Sequence, residues 1–169
     1  ANPVEIDSLD TPYDARGVSV EDDLAFVADS YGGLRVIDPW GPIGMVELEF
    51  LPTDGSADVV IATPTYVYVG DDYGGLVLVD AVDPTSLVEV GSLELAGRTS
   101  AVAAAAGLSY VGKAPAGLRV MDVSVPETPT EINTLGTQEV PQDIELSGWH
   151  AYTAELYRGL VIYDLATPT

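Results

Sequence analysis

The amino-acid sequence predicts an all-β protein, and three observations support this prediction. A string of the form Gly-Leu-x-hydrophobic-x-Asp occurs four times with an unbroken period of 42 residues, starting at Gly33, Gly75, Gly117 and Gly159. Each repeat contains short alternating apolar and polar segments between Gly, Pro and Asp turn signals. No segment combines a sustained helical period with caps. Four strands in a repeat of roughly 40–45 residues are typical of a β-propeller blade.

The first repeat shows the order of the predicted strands, at about residues 17–20, 24–28, 34–38 and 46–51. In the third strand, apolar residues alternate onto both faces, so the sheet has to be covered on both sides. Neighbouring sheets arranged radially provide that cover. We therefore expect one domain over residues 1–169, with four-stranded blades. The repeats are expected at about 10–51, 52–93, 94–135, and 136–169 together with 1–9.

The segment 4–9 predicts how the ring closes. It aligns with the fourth, outer strand of the later repeats, whereas the last repeat ends without such a strand. We expect strand 4–9 to complete the last blade, which removes both open sheet edges. Two alternatives stay open: two chains that assemble into a larger ring, and a fragment of a longer array.

The repeated string carries a family resemblance. The run Gly33-Leu34-Arg35-Val36-Ile37-Asp38, the strand before it and the Pro-bearing turn after it resemble LVIVD repeats, a β-propeller class common in bacterial and archaeal surface proteins. The resemblance implies a binding or scaffolding role and an extracellular or cell-surface location. It implies no activity, because the family has no shared catalytic motif. The chain begins with Ala1 instead of Met, so we expect a processed product or an excised segment.

The charge excludes several partner classes. The chain carries 27 acidic and 6 basic residues, a formal net charge of −21, and no Cys. Disulfides and thiolate metal sites are therefore impossible. Such a surface repels phosphate backbones, and no apolar run approaches the ~18–20 residues that span a bilayer. We expect neither nucleic-acid binding nor membrane insertion.

Candidate binding residues lie where the repeats differ, since positions that the fold requires are filled alike. Two sets of loops vary, and both should emerge on one face near the axial channel. An acidic, aromatic patch there suits a cation, an array of sugar hydroxyls or a basic protein surface. Ordinary solvated loops are the alternative. The candidates are Arg16, Asp29, Tyr31, Asp58, Asp71, Asp72, Tyr73, Gln142, Tyr157 and Arg158.

These observations favour a non-enzymatic binding or scaffold module whose ligand is a protein or a carbohydrate. We assign no catalytic residue, because the chain has a single His, no Cys and no G-x-S-x-G elbow. No cofactor is required, although Ca²⁺ at Asp71 and Asp72 is a candidate. The alternative is a hydrolase or lyase, with or without Ca²⁺, that uses carboxylates near the axial channel.

The acidic surface predicts a response to salt. Adaptation to a salty habitat is one explanation of the charge, and an acidic domain kept soluble by its net charge is the other. If the first holds, the melting temperature rises between low and molar salt, because salt screens the repulsion among carboxylates. Thermal melts followed by circular dichroism test this. A melting temperature that does not change with salt contradicts the habitat explanation.

Overall fold

The computed structural model describes residues 2–115 and 117–166, which form fifteen strands and no helix. Residues 1 and 167–169 of the last predicted repeat, and residue 116 of the third, lie outside this range. Blade 1 contains β1 (Gly17–Glu21), β2 (Leu24–Ala28), β3 (Leu34–Asp38) and β4 (Val46–Leu51), and blade 2 contains β5 (Ala57–Ala62), β6 (Tyr66–Asp71), β7 (Gly75–Asp80) and β8 (Val88–Leu93). Blade 3 contains β9 (Thr99–Ala105), β10 (Leu108–Lys113), β11 (Leu118–Asp122) and β12 (Thr130–Leu135), and blade 4 contains β13 (Pro141–Ser147), β14 (His150–Glu155) and β15 (Gly159–Asp164).

Each blade is an antiparallel meander in which every strand pairs with the next one along the chain. The strands predicted for the first repeat are confirmed, with β1 one residue longer than expected. A register shift recurs between the third and fourth strands of blades 1, 2 and 3, for example between Val36 and Ile37. These equivalent bulges show that the 42-residue repeat extends to details of the backbone.

Consecutive blades pack face to face through apolar side chains. The inner strands β1, β5, β9 and β13 lie side by side in that order. One buried cluster joins blades 1 and 2, a second joins blades 2 and 3, and a third joins blades 3 and 4. Equivalent residues occupy equivalent places, since Leu34, Leu76 and Leu118 are each 0% exposed. The predicted coverage of both sheet faces is therefore present between neighbouring blades.

The two ends of this series leave apolar faces uncovered. Val18 of β1 is 67% exposed, although its equivalents Val60, Val102 and Ile144 are buried. Leu160 of β15 is 70% exposed, although its equivalents in the other three blades are fully buried. The exposed faces belong to the first and last blades, which are the faces that ring closure would bring together.

Ring closure itself is not confirmed. Residues 2–16 form no strand, and blade 4 has three strands, so the predicted strand 4–9 does not pair with β15. The architecture of the described residues is a propeller-like series of four blades around one axis. In the described part of the chain, no helix is long and apolar enough to cross a membrane.

Candidate functional site

The inner strands of all four blades line one cavity of about 710 Å³. The inner strands β1, β5, β9 and β13 all contribute to its wall, so the cavity lies on the axis of the blade series. Variable loop residues line one part of the wall and apolar residues of the strands line the rest. The polar and charged lining residues are Arg16, Asp58, Arg98, Thr99, Ser100, Gln142 and Asp143.

Asp58 organises the charged part of this cavity. Its Oδ1 accepts a hydrogen bond from Arg16 Nη1 at 2.6 Å, and its Oδ2 accepts one from Arg98 Nε at 2.9 Å. Ser56 Oγ also donates to Oδ1 at 2.9 Å. Burial alone would raise the pKa of Asp58, but the hydrogen bonds from Ser56, Arg98 and Arg16 lower it below its usual 3.8. The carboxylate therefore stays ionised and holds two guanidinium groups side by side at the cavity wall.

The charged groups at the cavity balance in sign. Arg16 and Arg98 supply two positive charges, and Asp58 and Asp143 supply two negative charges. Both arginines are partly exposed, and each uses a single side-chain nitrogen in its bond to Asp58. The remaining guanidinium N–H groups, together with Gln142, can hydrogen-bond a ligand. Balanced charge with many donors and acceptors suits a polyhydroxyl ligand better than a simple ion.

The second set of variable loops follows the second strand of each blade. A charged residue occupies the same position at the end of each of these strands. This position is occupied by Asp29, Asp71, Lys113 and Glu155, and all four side chains are buried. Asp29 Oδ2 accepts from Arg35 Nε at 2.6 Å, and its Oδ1 accepts from Thr11 Oγ1 at 2.7 Å. These contacts fix the loop before β1 and the loop between β2 and β3, so Asp29 holds the end of its blade together.

Asp71 has a similar structural role in blade 2. Its Oδ1 accepts the backbone N–H groups of Tyr73 and Gly74, at 3.0 and 2.6 Å, and its Oδ2 accepts that of Gly55 at 3.1 Å. Carboxylates that bond backbone N–H groups in this way stabilise turns. The described residues contain no group of three or more His, Cys, Asp or Glu side chains placed to hold a metal ion. The Ca²⁺ site at Asp71 and Asp72 stays a prediction.

The equivalent residue in blade 3 is a buried lysine. Lys113 is 1% exposed and donates from Nζ to Thr99 Oγ1 at 2.9 Å. The pKa of Lys113 is lowered to about 8, mainly by burial and also by the nearby Arg119, while Asp72 and Asp71 oppose the shift. Arg119 is the equivalent of Arg35, but its buried Nε has no hydrogen-bond partner within the described ranges. A lysine in place of the aspartate explains this unpaired nitrogen.

Blade 4 completes the set with Glu155. This carboxylate accepts hydrogen bonds from Tyr163 Oη at 2.6 Å and from Arg158 Nη1 at 3.2 Å. Burial and this bond to Glu155 raise the pKa of Tyr163 to about 12. Arg158, one of the predicted binding residues, is therefore tied to the end of its own blade.

The structure brings only part of the predicted site together. Arg16, Asp58 and Gln142 line the axial cavity, whereas the other candidates do not. Tyr31, Tyr73 and Tyr157 are exposed away from it. Sequence reasoning missed Arg98, and a usable signal existed, because the chain has only six Lys and Arg residues and Arg98 directly precedes an inner strand.

The fold and the axial cavity define a β-propeller-like repeat protein. The family model of the LVIVD repeat matches residues 13–39, 54–94, 96–137 and 141–169. The chain belongs to the LVIVD repeat family, and the resemblance inferred from its sequence is confirmed. LVIVD repeats form β-propeller folds. No curated protein matches the chain.

Solved structures show the same fold at low sequence identity. The computationally designed Ika4 protein has a TM-score of 0.78 at 13% identity, and the match covers 98% of this chain and 100% of that one. The designed Ika8 protein has a TM-score of 0.74 at 13% identity, covering 92% of this chain and 47% of that one. Apo AztD from Citrobacter koseri has a TM-score of 0.63 at 16% identity, covering 90% and 44%. The chain thus spans about half the length of the last two.

Lys113 predicts a pH-dependent effect of substitution. At pH 7, we expect the free energy of unfolding of the Lys113→Met variant to exceed that of the wild type by up to about 3 kcal/mol. The reason is that the pKa of Lys113 is about 8 in the folded protein instead of 10.5, so the buried positive charge destabilises the wild type. The folded state prefers the neutral amine, so wild-type stability rises from pH 8 towards 10.5 and the difference shrinks. Urea denaturation at several pH values measures it. A difference that is constant between pH 7 and 10 contradicts the assignment.

Proposed function

We propose that this protein is a non-enzymatic binding module that holds a carbohydrate in its axial cavity. The observation that carries the proposal is the cavity of about 710 Å³ with lining from all four inner strands. Its variable residues supply two guanidinium groups, two carboxylates, an amide and hydroxyls. Sugar hydroxyls donate and accept hydrogen bonds, and they match this mixture without requiring a net charge. A rigid blade series that carries variable residues is a common arrangement for recognition.

The proposal includes a closed ring, in which segment 4–9 pairs with β15 of the same chain. Asp7 supports this closure, because its Oδ2 accepts the backbone N–H of Met45 at 3.1 Å. Gly91 of strand β8 is equivalent to Asp7, and Pro129 of blade 3 is equivalent to Met45, each two periods later. Gly91 lies against Pro126 and Pro129, so the outer strand of blade 2 contacts blade 3 at the same place. The contact of Asp7 with Met45 therefore supports a position of segment 4–9 beside blade 1, as expected for the outer strand of a preceding blade.

The uncovered end faces support the same closure. Val18 and Leu160 present apolar side chains that are equivalent to residues buried between neighbouring blades. The same two kinds of blade face pack against each other at three junctions within the chain, so the two exposed end faces are complementary to each other. Closure would bury them and surround the cavity completely. A second copy of the chain that binds to these faces, which gives a larger ring, is the alternative outcome of the same complementarity.

Closure predicts that Leu160 contributes to stability in solution. Leu76→Ala, at a fully buried equivalent position, should cost about 2–5 kcal/mol in free energy of unfolding. We expect Leu160→Ala to cost at least half as much, because closure buries the side chain. Denaturant unfolding of both variants measures this, with Val82→Ala on an exposed loop as the control. A cost for Leu160→Ala as small as that of the control contradicts closure.

Light scattering on the same samples separates the closed ring from the larger assembly. A stable monomer with a costly Leu160→Ala supports closure within one chain. A dimer that dissociates in Leu160→Ala supports a ring shared between two chains and contradicts closure within one.

Binding at the axial cavity is tested with a panel of neutral and acidic monosaccharides and disaccharides. Chemical shift changes are expected at the amides of Arg98–Val102, and the double variant Arg98→Ala/Gln142→Ala should lose them. Arg158→Ala is the matched control, because Arg158 lies off the cavity and bonds Glu155. Shift changes that survive the double variant, or a panel without any change, contradict the proposal.

The hydrolase or lyase alternative is less well supported by the geometry. Asp58 is the most buried carboxylate of the cavity, and its lowered pKa makes it a poor general acid.

We retain the expectation of a secreted or cell-surface location from the family resemblance. Ca²⁺ binding at Asp71 and Asp72 is checked by calorimetric titration of wild type and Asp71→Asn. Heat that is lost in the variant supports that site.

A further inference from the structure

We propose that a groove on blade 2 binds the guanidinium group of an arginine side chain presented by a partner protein. The groove has a volume of about 210 Å³ and lies at the end of the blade where β6 turns into β7. Buried Val77 lines it, and exposed Tyr73 stands beside it. The remaining lining residues are Asp54, Gly74, Glu89, Ser92 and Glu94.

Blades 1 and 3 show which ligand this groove suits. In blade 1, Arg35 Nη1 donates to both carboxylate oxygens of Glu47, at 3.0 and 2.8 Å. In blade 3, Arg119 Nη1 donates to Glu131 Oε1 at 2.8 Å. The two pairs are separated by two periods and are therefore the same interaction repeated. A guanidinium group occupies this place in both neighbours of blade 2.

Blade 2 keeps the acceptor of this pair and lacks the donor. Glu89 is the equivalent of Glu47 and Glu131, but Val77 stands where blades 1 and 3 have arginine; blade 4 has Val161 at this position and no fourth strand in the described residues. The shorter side chain leaves a groove in front of a glutamate that has no arginine of its own blade to pair with. The ligation of guanidinium by the equivalent glutamates, and not the acidity of the groove alone, identifies the ligand.

Two further substitutions in blade 2 strengthen the inference. Glu94 lies where the equivalent residues are Pro52 and Gly136, and Asp54 lies where they are Pro12 and Ala96. Relative to its neighbours, blade 2 has lost one positive charge and gained two carboxylates at the same groove. A guanidinium group is planar and presents paired N–H donors to carboxylates.

An aromatic ring accompanies the guanidinium group in blade 1 as well. The Arg35 guanidinium lies over the Phe50 ring, 5.5 Å from its centre. In blade 2, Tyr73 lines the groove and can stack on a bound guanidinium group from outside. The net charge of −21 additionally attracts basic partner segments and speeds their encounter with the groove.

The test uses three short capped peptides, Gly-Arg-Gly, Gly-Lys-Gly and Gly-citrulline-Gly, titrated into the full chain. Amide chemical shifts are expected to change over Tyr73–Val77 and Glu89–Glu94 with the arginine peptide. Citrulline has the shape of arginine without its charge, so it should bind at least about tenfold more weakly, as expected when charge-assisted hydrogen bonds are lost. Equal binding of the lysine peptide would identify an ammonium site and overturn the guanidinium assignment.

Two variants make the test specific. Val77→Arg should restore the pair seen in blades 1 and 3 and abolish peptide binding, because its own guanidinium group fills the groove. Glu89→Gln lies on the surface and should weaken binding about tenfold without unfolding the protein, so it decides the matter even if Val77→Arg fails to fold. Glu131→Gln, the equivalent change in blade 3, should leave binding unchanged. The proposal is overturned if the arginine peptide causes no shift changes in the wild type, or if the same changes persist in Glu89→Gln.

Discussion

The packing of one blade face against the next is the constraint on which the rest of this structure depends. A sheet such as β5–β8 is apolar on both faces, with Leu76 and Val79 fully buried, and it cannot be stable with either face in water. Each blade therefore needs two neighbours. The 42-residue period satisfies this need by repeating the same face at every step. The exposed Val18 and Leu160 at the ends follow from the same constraint and are the reason to expect closure.

Face-to-face packing also decides where polar residues can vary. Because apolar columns occupy the faces, the buried charged residues of the described chain lie at or near the ends of the strands. The four buried charges at the ends of the second strands show two solutions to this confinement. Asp29, Asp71 and Glu155 accept hydrogen bonds from strands and loops of their own blades. Lys113 reverses the sign, so Arg119 Nε has no hydrogen-bond partner among the described residues, and burial lowers the pKa of the lysine.

The repeat made the fold predictable, and the same repeat limits how much of the site can be predicted. Alternation and the period give the strand bounds of blade 1 almost to the residue, because the backbone pattern is local. Burial of Asp29 and Asp71 was not foreseen, since acidic residues in a Gly-containing loop normally face solvent. Their burial depends on backbone N–H groups and on Arg35, which only the folded chain brings close. Arg16, Asp58 and Gln142 were predictable because equivalent positions on inner strands must meet at the axis.

The differences between blades are more informative than their likeness. Arg35 and Arg119 occupy the same position in blades 1 and 3, and Val77 replaces them in blade 2. A comparison of this kind needs no second protein, because blades 1 and 3 serve as references for blade 2. It distinguishes the axial cavity from the groove on blade 2. The cavity combines variable residues from every blade, whereas the groove belongs to one blade and its adjoining loops.

Closure of the ring is tested most directly by a cross-link between segment 4–9 and β15. Arg35 pairs with Phe50 in blade 1, and the equivalent pair at the closing blade is Val161 with Ser8. The chain has no cysteine, so Ser8→Cys/Val161→Cys introduces the only two thiols. Under mild oxidation of the dilute protein, we expect a disulfide within one chain, detected by mass spectrometry, and none in the register-shifted control Glu5→Cys/Val161→Cys. Free thiols in both variants, or a disulfide that forms only between chains, would contradict closure.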